Sequence, residues 1–202
     1  MDSQSYLNEI SSKVRPAKKS KLDFLKNKFV LVGIICVAGL ILMAIIGAML
    51  GGGKSGIKEQ SIALKLRLDS TTEIISSYKS HVKSSALRSD SASLDGILSN
   101  TNRDLTNYLT DKYKFKKADK KDQEKEDSHK EALNEELFEA RINGILDRIY
   151  AHKMAYEVSL IMSMESKLYD AAKDDTLKEI LNTSYDSLTV IYEKFENYSE
   201  AK

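Results

Sequence analysis

Residues 177–198 read LKEILNTSYDSLTVIYEKFENY, and one set of their side chains recurs at alternating steps of four and three. This spacing places the set on a single face of an α-helix, because the helix turns once every ~3.6 residues. Most positions between them are polar, so the segment is predicted to be an amphipathic helix. The set consists of Leu177, Leu181, Ser184, Leu188, Ile191, Phe195 and Tyr198.

The same periodicity extends back through the chain to Ile57. Three further runs at helical spacing cover 57–82, 94–109 and roughly 129–172. Proline, the residue most disruptive to helix interiors, is absent after residue 56. Four amphipathic helices joined by polar connections predict an all-α fold, with an antiparallel four-helix bundle and coiled-coil-like packing over residues 57–202.

The third run is too long for a symmetric bundle. A helix over 129–172 would measure about 65 Å at 1.5 Å per residue, against about 35–40 Å for the first and fourth helices. Either this helix bends near Gly144, or the helical hairpins are staggered and one of them projects. The sequence leaves both alternatives open.

Helix starts and turns are marked unevenly in the sequence. Ser128–Glu131 (SHKE) and Thr176–Glu179 (TLKE) have the residue pattern of capping boxes. Between the second and third runs the charge changes at Lys121–Asp122 from mainly basic to mainly acidic. Cations favour helix C-termini and anions favour N-termini, so this change predicts a helix-to-helix turn.

A separate segment, Phe29–Leu50, reads FVLVGIICVAGLILMAIIGAML and contains no charged residue. It is long enough to cross the ~30 Å hydrocarbon layer of a membrane, and it exceeds the ~7–15 apolar residues of a cleaved signal peptide. Residues 1–28 carry seven basic and three acidic side chains, a net charge of +4. The residues after the segment carry 24 basic and 27 acidic side chains, a net charge of −3.

This charge asymmetry predicts the topology of the chain. Basic residues close to a membrane span stay on the cytoplasmic side. We therefore expect a single-pass signal-anchor protein of the cell membrane. It has a basic cytoplasmic tail at 1–28, a transmembrane helix at 29–50 and an extracytoplasmic bundle.

The segment Gly51–Gly56 (GGGKSG) contains part of the phosphate-binding loop motif. That motif, G-x-x-x-x-G-K-[ST], requires glycine at the position of Ala48 and lies between a strand and a helix, and neither condition is met. Successive glycines have wide backbone freedom. Residues 51–56 are therefore predicted to be a hinge between the anchor and the bundle.

Lysines are concentrated in the connection after the second helix. In an up-down-up-down bundle this connection and the C-terminus lie at the membrane end, whereas Lys83–Ser93 and Ala171–Asp175 lie at the distal end. Charge runs usually solvate or cap helices; the functional alternative is contact with anionic lipid or an anionic envelope polymer. The lysines concerned are Lys112, Lys114, Lys116, Lys117, Lys120 and Lys121.

Aromatic residues broaden the apolar face of the last helix. Large aromatic side chains often anchor protein contacts, so a protein partner or a second copy of the chain is one candidate for this face. A four-helix core accounts for a wide stripe without any partner, and this interpretation is favoured. The residues of the candidate face are Tyr185, Tyr192, Phe195 and Tyr198.

Catalytic and metal-binding patterns are not found in the sequence. The spacing of the three histidines, His81, His129 and His152, does not match that of zinc or di-iron ligands. We interpret His81 and His152 as partly buried structural residues. The serines lack a nucleophile-elbow context. We therefore expect no enzyme activity, no metal or cofactor, and no nucleic-acid partner.

Two functions remain as hypotheses. The first is a membrane-anchored, non-catalytic helical bundle that interacts with a protein or with the cell envelope. The alternative is a bundle that senses or carries a small ligand or cofactor. A pocket lined by Met162, Tyr185 and His152 would favour this alternative.

Overall fold

A computed structural model describes residues 56–199, and all regular secondary structure in that range is α-helical. This confirms the all-α prediction for the bundle. The predicted tail, the predicted anchor and most of the predicted hinge, residues 1–55, lie outside the described range. Among the described helices, none has the length and apolar character needed to cross a membrane. The helices are α1 (Ile57–Tyr78), α2 (Ser85–Tyr113), α3 (Lys120–Ile142), α4 (Leu146–Ala171) and α5 (Asp175–Glu196).

Five helices replace the predicted four because the long third run is broken at Gly144. Gly144 has a φ of 72°, a left-handed conformation that glycine adopts without the steric cost of a Cβ. The Ile145 amide donates to the Ala140 carbonyl at 3.0 Å, and the Gly144 amide donates to the Arg141 carbonyl at 3.2 Å. These bonds form a Schellman-type end to α3. The bend near Gly144 is confirmed, and the alternative of an unbroken third helix with staggered hairpins, one of them projecting, is wrong.

The predicted start of the third helix needs correction. The helix α3 begins at Lys120, with Asp119 as its N-cap residue, so the preceding connection is 114–119. Ser128 lies inside α3, where its hydroxyl donates to the Glu124 carbonyl at 3.0 Å. A serine that bonds back to its own helix in this way is not a cap.

The predicted start of the last helix is displaced by two residues. The carboxylate of Asp174, rather than the Thr176 hydroxyl, accepts the Leu177 amide at 3.2 Å. Aspartate is among the strongest N-cap residues, because its side chain satisfies an amide that has no partner within the helix.

Four of the helices, in the spatial order α1, α2, α5, α4, form an antiparallel ring around the core. The remaining helix, α3, packs against α1 and α4. It runs parallel to α1, since Ser70 and Tyr78 of α1 bond to Glu126 and Asn134 of α3 in the same order along both helices. The bundle is thus a four-helix ring with a fifth helix on one side.

Leucine dominates the core, and each fully buried leucine contributes about 1.5–3 kcal/mol relative to exposure. The helix α3 contributes much less apolar surface, namely Leu133, Leu137 and Ala140. Its fourth buried residue is charged, Glu126. Attachment of α3 therefore depends on polar contacts more than attachment of the ring helices does.

One end of the bundle holds the start of α1 at Gly56 together with the connections 114–119 and 172–174, and we call it the Gly56 pole. At this pole an ion pair joins Lys112, near the end of α2, to Asp174 of the connection 172–174. The opposite pole holds the other two connections and the end of α5.

Two segments lie at the ends opposite to those predicted. Ala171–Asp175 is at the Gly56 pole, whereas Lys194 near the end of α5 pairs at 3.1 Å with Asp90 near the start of α2. The break at Gly144 adds one reversal of chain direction, so the C-terminal end of α5 lies at the opposite pole. The lysine-rich connection shares an end with the start of α1, as the topology predicted.

Candidate functional site

The six lysines of the predicted polyanion contact are all exposed and lie together at the Gly56 pole. Lys112 pairs with Asp174 at the start of α5, and Lys120 lies 3.5 Å from Glu124 one turn further along α3. The other four make no ion pair with any residue between 56 and 199: Lys114, Lys116, Lys117 and Lys121. The structure therefore brings six exposed lysines to one pole, where the exposed carboxylates of Asp111, Asp119 and Asp122 lie among them.

The predicted aromatic face of the last helix is divided between the core and the surface. Phe195 is 1% exposed, with its ring edge-on to Tyr150 at a centroid distance of 6.4 Å, so it belongs to the core, the interpretation favoured above, and not to a partner face. Tyr192 and Tyr198 are half-buried, and Tyr185 is exposed. The face packs into the bundle because Phe195 lies on the same stripe as the core leucines of α5.

The three accessible tyrosines line a groove between α4 and α5. One pocket of about 520 Å³ is lined by His152, Tyr192 and Tyr198. The next, of about 390 Å³, is lined by Met162, Tyr185 and Tyr192. The residues of the predicted ligand pocket therefore lie along one groove, although His152 and Met162 line different parts of it.

A buried ionic cluster joins α1, α3 and α4. The guanidinium of Arg67 on α1 lies 3.0 Å from the carboxylate of Glu157 on α4 and 2.9 Å from that of Glu126 on α3. Ser70 donates to Glu126 Oε1, and His129 Nε2 lies 2.9 Å from the second carboxylate oxygen of Glu157. We call these five side chains the Arg67 cluster.

The charges of the Arg67 cluster compensate one another. One guanidinium faces two carboxylates, and the fourth ionisable group is an imidazole. Burial alone would raise the pKa of Glu157, but hydrogen bonds to His129 and Arg67 and their positive charge outweigh it and hold the pKa below its usual range. Glu157 is therefore an ionised carboxylate in the folded protein, paired within a dry interior.

Sequence reasoning missed the Arg67 cluster, although a signal was present. Arg67 follows Leu64 by three residues and precedes Thr71 by four, so it lies on the apolar face of its helix. Glu157 lies in the same way between Met154 and Ile161. A charged residue on an apolar stripe indicates a buried ion pair, but the partner on another helix is set by the tertiary fold.

A second buried carboxyl, Glu165 of α4, has no counter-charge in contact. It is 1% exposed, and neither carboxyl oxygen has a hydrogen-bond partner among residues 56–199. Burial raises the pKa of Glu165 to about 8. The Ser184 hydroxyl of α5 offsets part of this rise, although its contact with Glu165 falls short of hydrogen-bond geometry. The Ser184 oxygen accepts a hydrogen bond from the Thr101 hydroxyl of α2 at 2.9 Å.

Glu165 lies beside a small pocket that opens on the same side of the bundle as the α4–α5 groove. The pocket has a volume of about 150 Å³. Two aromatic rings stand at its rim, Tyr169 at 40% and Tyr185 at 39% exposure. We call it the Glu165 pocket; its lining consists of Glu165, Ser166, Tyr169, Leu181, Asn182 and Tyr185.

The histidines are dispersed through the bundle. His129 belongs to the Arg67 cluster, whereas His81 and His152 are exposed, so their interpretation as partly buried residues was wrong. Within the part of the chain that the structure describes, no three histidine, cysteine, aspartate or glutamate residues are grouped to hold a metal ion.

No protein-family model, curated protein or solved structure matches the chain. The arrangement of charges, grooves and poles in the bundle is therefore the basis on which a function is proposed.

Proposed function

We propose that this chain is a single-pass, membrane-anchored protein that presents a non-catalytic helical bundle outside the cytoplasm, where the bundle contacts proteins or other components of the cell envelope. The position of the lysine-rich connection carries this proposal. The six lysines in and directly beside this connection lie at the Gly56 pole, the end at which the chain enters the bundle from the predicted anchor.

The electrostatics of this pole suit an anionic membrane surface. Each lysine close to such a surface is attracted by about 1 kcal/mol, and the attraction fades within a Debye length of about 8–10 Å. The bundle then stands with its Gly56 pole toward the lipid and its opposite pole away from it.

The opposite pole offers apolar side chains for a protein contact. Phe138 and Ile142 lie one turn apart near the end of α3 and are 52% and 68% exposed. Grouped exposed apolar residues are typical of protein–protein contact surfaces. The Arg67 and Glu157 charges are buried and paired with each other, which supports a structural rather than a catalytic role for them.

Cysteine accessibility tests the topology. Cys36 is the only cysteine, so Cys36→Ser yields a background for single reporters. Ser5→Cys reports on the predicted tail, and Ser93→Cys reports on an exposed position of α2. In intact cells a membrane-impermeant maleimide is expected to label only the Ser93→Cys variant. After permeabilisation it is expected to label both variants. Labelling of Ser5→Cys in intact cells, with Ser93→Cys protected, would overturn the proposal.

Vesicle flotation tests the role of the lysines. Residues 54–202 form a compact unit with its own core, so this unit can be studied without the anchor. It is expected to float with phosphatidylglycerol-containing vesicles and not with pure phosphatidylcholine. Lys116→Glu combined with Lys117→Glu is expected to abolish flotation. A matched reversal at the opposite pole, Lys83→Glu with Arg148→Glu, is expected to leave it unchanged; equal effects would contradict membrane contact through the Gly56 pole.

Ligand binding is a second candidate function, and one observation favours it. The accessible tyrosines of α5 form the walls of a groove with α4 rather than a flat face. Concave sites lined by aromatic and apolar side chains with a few polar groups are the usual form of small-molecule sites. A saturable ligand for this groove would establish the second function, and it is compatible with the membrane anchor.

A further inference from the structure

We propose that the Glu165 pocket binds a small organic ammonium ion, with the Glu165 carboxylate as its counter-ion and the rings of Tyr169 and Tyr185 against its alkyl groups. This inference rests on the second candidate function, ligand binding by the bundle, and names the chemical class of the ligand. It does not depend on the membrane anchor or on the lysines of the Gly56 pole.

The carboxyl of Glu165 lacks a hydrogen-bond partner within the described bundle. A buried polar group without a hydrogen bond costs about 1–3 kcal/mol, and such groups in folded proteins generally mark a missing partner. Glu165 has two such oxygens in the described structure, and it borders a pocket rather than solid core. A cation that enters this pocket lies beside this buried carboxyl, and rotation of the Glu165 side chain toward the pocket would bring the two into contact.

Two tyrosine rings form the rim of the Glu165 pocket. The face of a tyrosine ring attracts cations, and rings that surround an alkylammonium group are a recurrent form of recognition. Tyr169 and Tyr185 flank the pocket from α4 and α5. Tyr169 already contacts a cation of the chain itself, since Lys178 Nζ lies 5.3 Å from its ring centroid. The rim and the carboxyl thus favour the same sign of charge on a ligand.

The volume of the Glu165 pocket and the small number of coordinating side chains restrict the chemical class of its ligand. At about 150 Å³ the pocket is well below the ~300–1,000 Å³ of typical drug-sized sites, so its occupant has few heavy atoms. A divalent metal needs several oxygen or nitrogen ligands. The described residues supply one carboxyl here and no three-residue ligand group. An organic cation needs one counter-charge and apolar walls, which the pocket has.

Binding of the ammonium ion displaces the proton of the Glu165 carboxyl. With its raised pKa the free Glu165 holds a proton near neutral pH. Entry of the ammonium ion releases that proton to solvent and leaves a carboxylate–ammonium pair, so charge is conserved. Affinity is therefore expected to rise with pH, by up to tenfold per unit below the pKa. The other titratable groups around the pocket are Tyr169, Tyr185 and Lys178, while α2 contributes the neutral Thr101 near Ser184.

Saturation-transfer difference NMR on the full-length protein in nanodiscs tests the proposal. The probe is tetramethylammonium chloride, with tert-butanol as a neutral compound of similar shape and potassium chloride at the same ionic strength. We expect saturable binding of tetramethylammonium that is at least tenfold weaker in Glu165→Gln. Tyr185→Phe is expected to retain binding, and Tyr185→Ala to weaken it severalfold.

Matched variants separate binding from folding. Glu135→Gln removes an exposed glutamate of α3 and is expected to bind as wild type, and circular dichroism confirms that each variant is helical. Equal binding of tetramethylammonium by wild type and Glu165→Gln would overturn the proposal. So would tert-butanol binding as tightly as tetramethylammonium, an outcome in which ligand binding by the bundle survives. Absence of saturable binding by either compound contradicts the ammonium site and removes the support for ligand binding at this pocket.

Discussion

Arg67 Nη1 lies 3.0 Å from Glu157 Oε2, joining two helices whose residues are 90 positions apart in sequence. Both side chains are almost fully buried, and Glu126 and His129 of α3 complete their surroundings. A buried pair of this kind can be satisfied only when α1, α3 and α4 meet in one register. The Arg67 cluster therefore positions α3, the helix with the least apolar contact.

Arg67→Met is expected to destabilise the bundle strongly. Methionine preserves much of the side-chain length but leaves Glu126 without a cation and Glu157 with His129 alone. Breaking a buried pair by removing one partner costs about 3–5 kcal/mol. Urea unfolding of the 54–202 unit, followed by circular dichroism, measures the change. Lys65→Met is the matched control, because Lys65 forms a more exposed pair with Asp69 on the same helix. Its cost is expected to be below about 1 kcal/mol.

Because of Glu165, the free energy of unfolding is expected to decrease as the pH rises from 4.5 toward 8. Its folded pKa of about 8 is raised from 4.5, so the folded state holds a proton that the unfolded state has lost in this window. Stability from this group is present below pH 4.5 and falls as pH rises toward 8. The loss is on the order of 3–5 kcal/mol.

Glu165→Gln is expected to remove this loss. Glutamine cannot ionise, so the variant should be more stable than wild type at pH 9 and closest to it at pH 5. Urea unfolding at pH 5, 7 and 9 gives the comparison. A wild type whose stability relative to Glu165→Gln is constant over this range would show that the carboxyl is not desolvated.

Gly144 and Gly96 are expected to respond oppositely to alanine. A Cβ at either position meets no neighbouring atom within 4 Å, so packing does not distinguish them. Gly144 has a φ of 72°, where alanine is strained by about 1 kcal/mol or more, so Gly144→Ala should destabilise. Gly96 lies inside α2, where alanine is favoured by about 0.5–1 kcal/mol, so Gly96→Ala should stabilise. Thermal unfolding of both variants checks the signs.

Asp147 is expected to hold the opposite pole together. Its two carboxylate oxygens accept the amides of Lys83 and Ser84 at 2.9 and 2.7 Å, which ties the start of α4 to the connection between α1 and α2. Asp147→Ala should cost about 1–3 kcal/mol, because hydrogen bonds to charged groups are lost. Asp170→Ala, an exposed aspartate on the same helix, should change stability by less than about 0.5 kcal/mol. Hydrogen exchange at the Lys83 and Ser84 amides should increase only in the first variant.

Periodicity predicted the helices well because it records which side chains face the core. The set from Leu177 to Phe195 is buried as a stripe, including the polar Ser184. The boundaries were predicted less well. The capping pattern at Ser128 is shared by residues inside a helix, and the true start at Lys120 carries no side-chain cap. Gly144 was recognised as a point of bending, but whether it ends a helix depends on the tertiary packing on either side.

The buried charges could be located on their helices but not paired from sequence. Arg67 and Glu157 each interrupt an apolar stripe, which indicates burial; that they meet follows from the extra chain reversal at Gly144. Glu165 shows the same pattern between Ile161 and Leu168, yet its lack of a partner is a property of the packed interior alone.

The bundle has five helices between residues 56 and 199, and this odd number has a mechanical consequence. The start of α1 and the end of α5 lie at opposite poles, so a force that pulls residues 56 and 199 apart would act along the bundle axis. Such a load shears all the helix contacts at once, whereas a bundle with both ends at one pole unzips one helix at a time. The fifth helix thus places the two ends of the described chain where a pull between them would be resisted by all the helix contacts together.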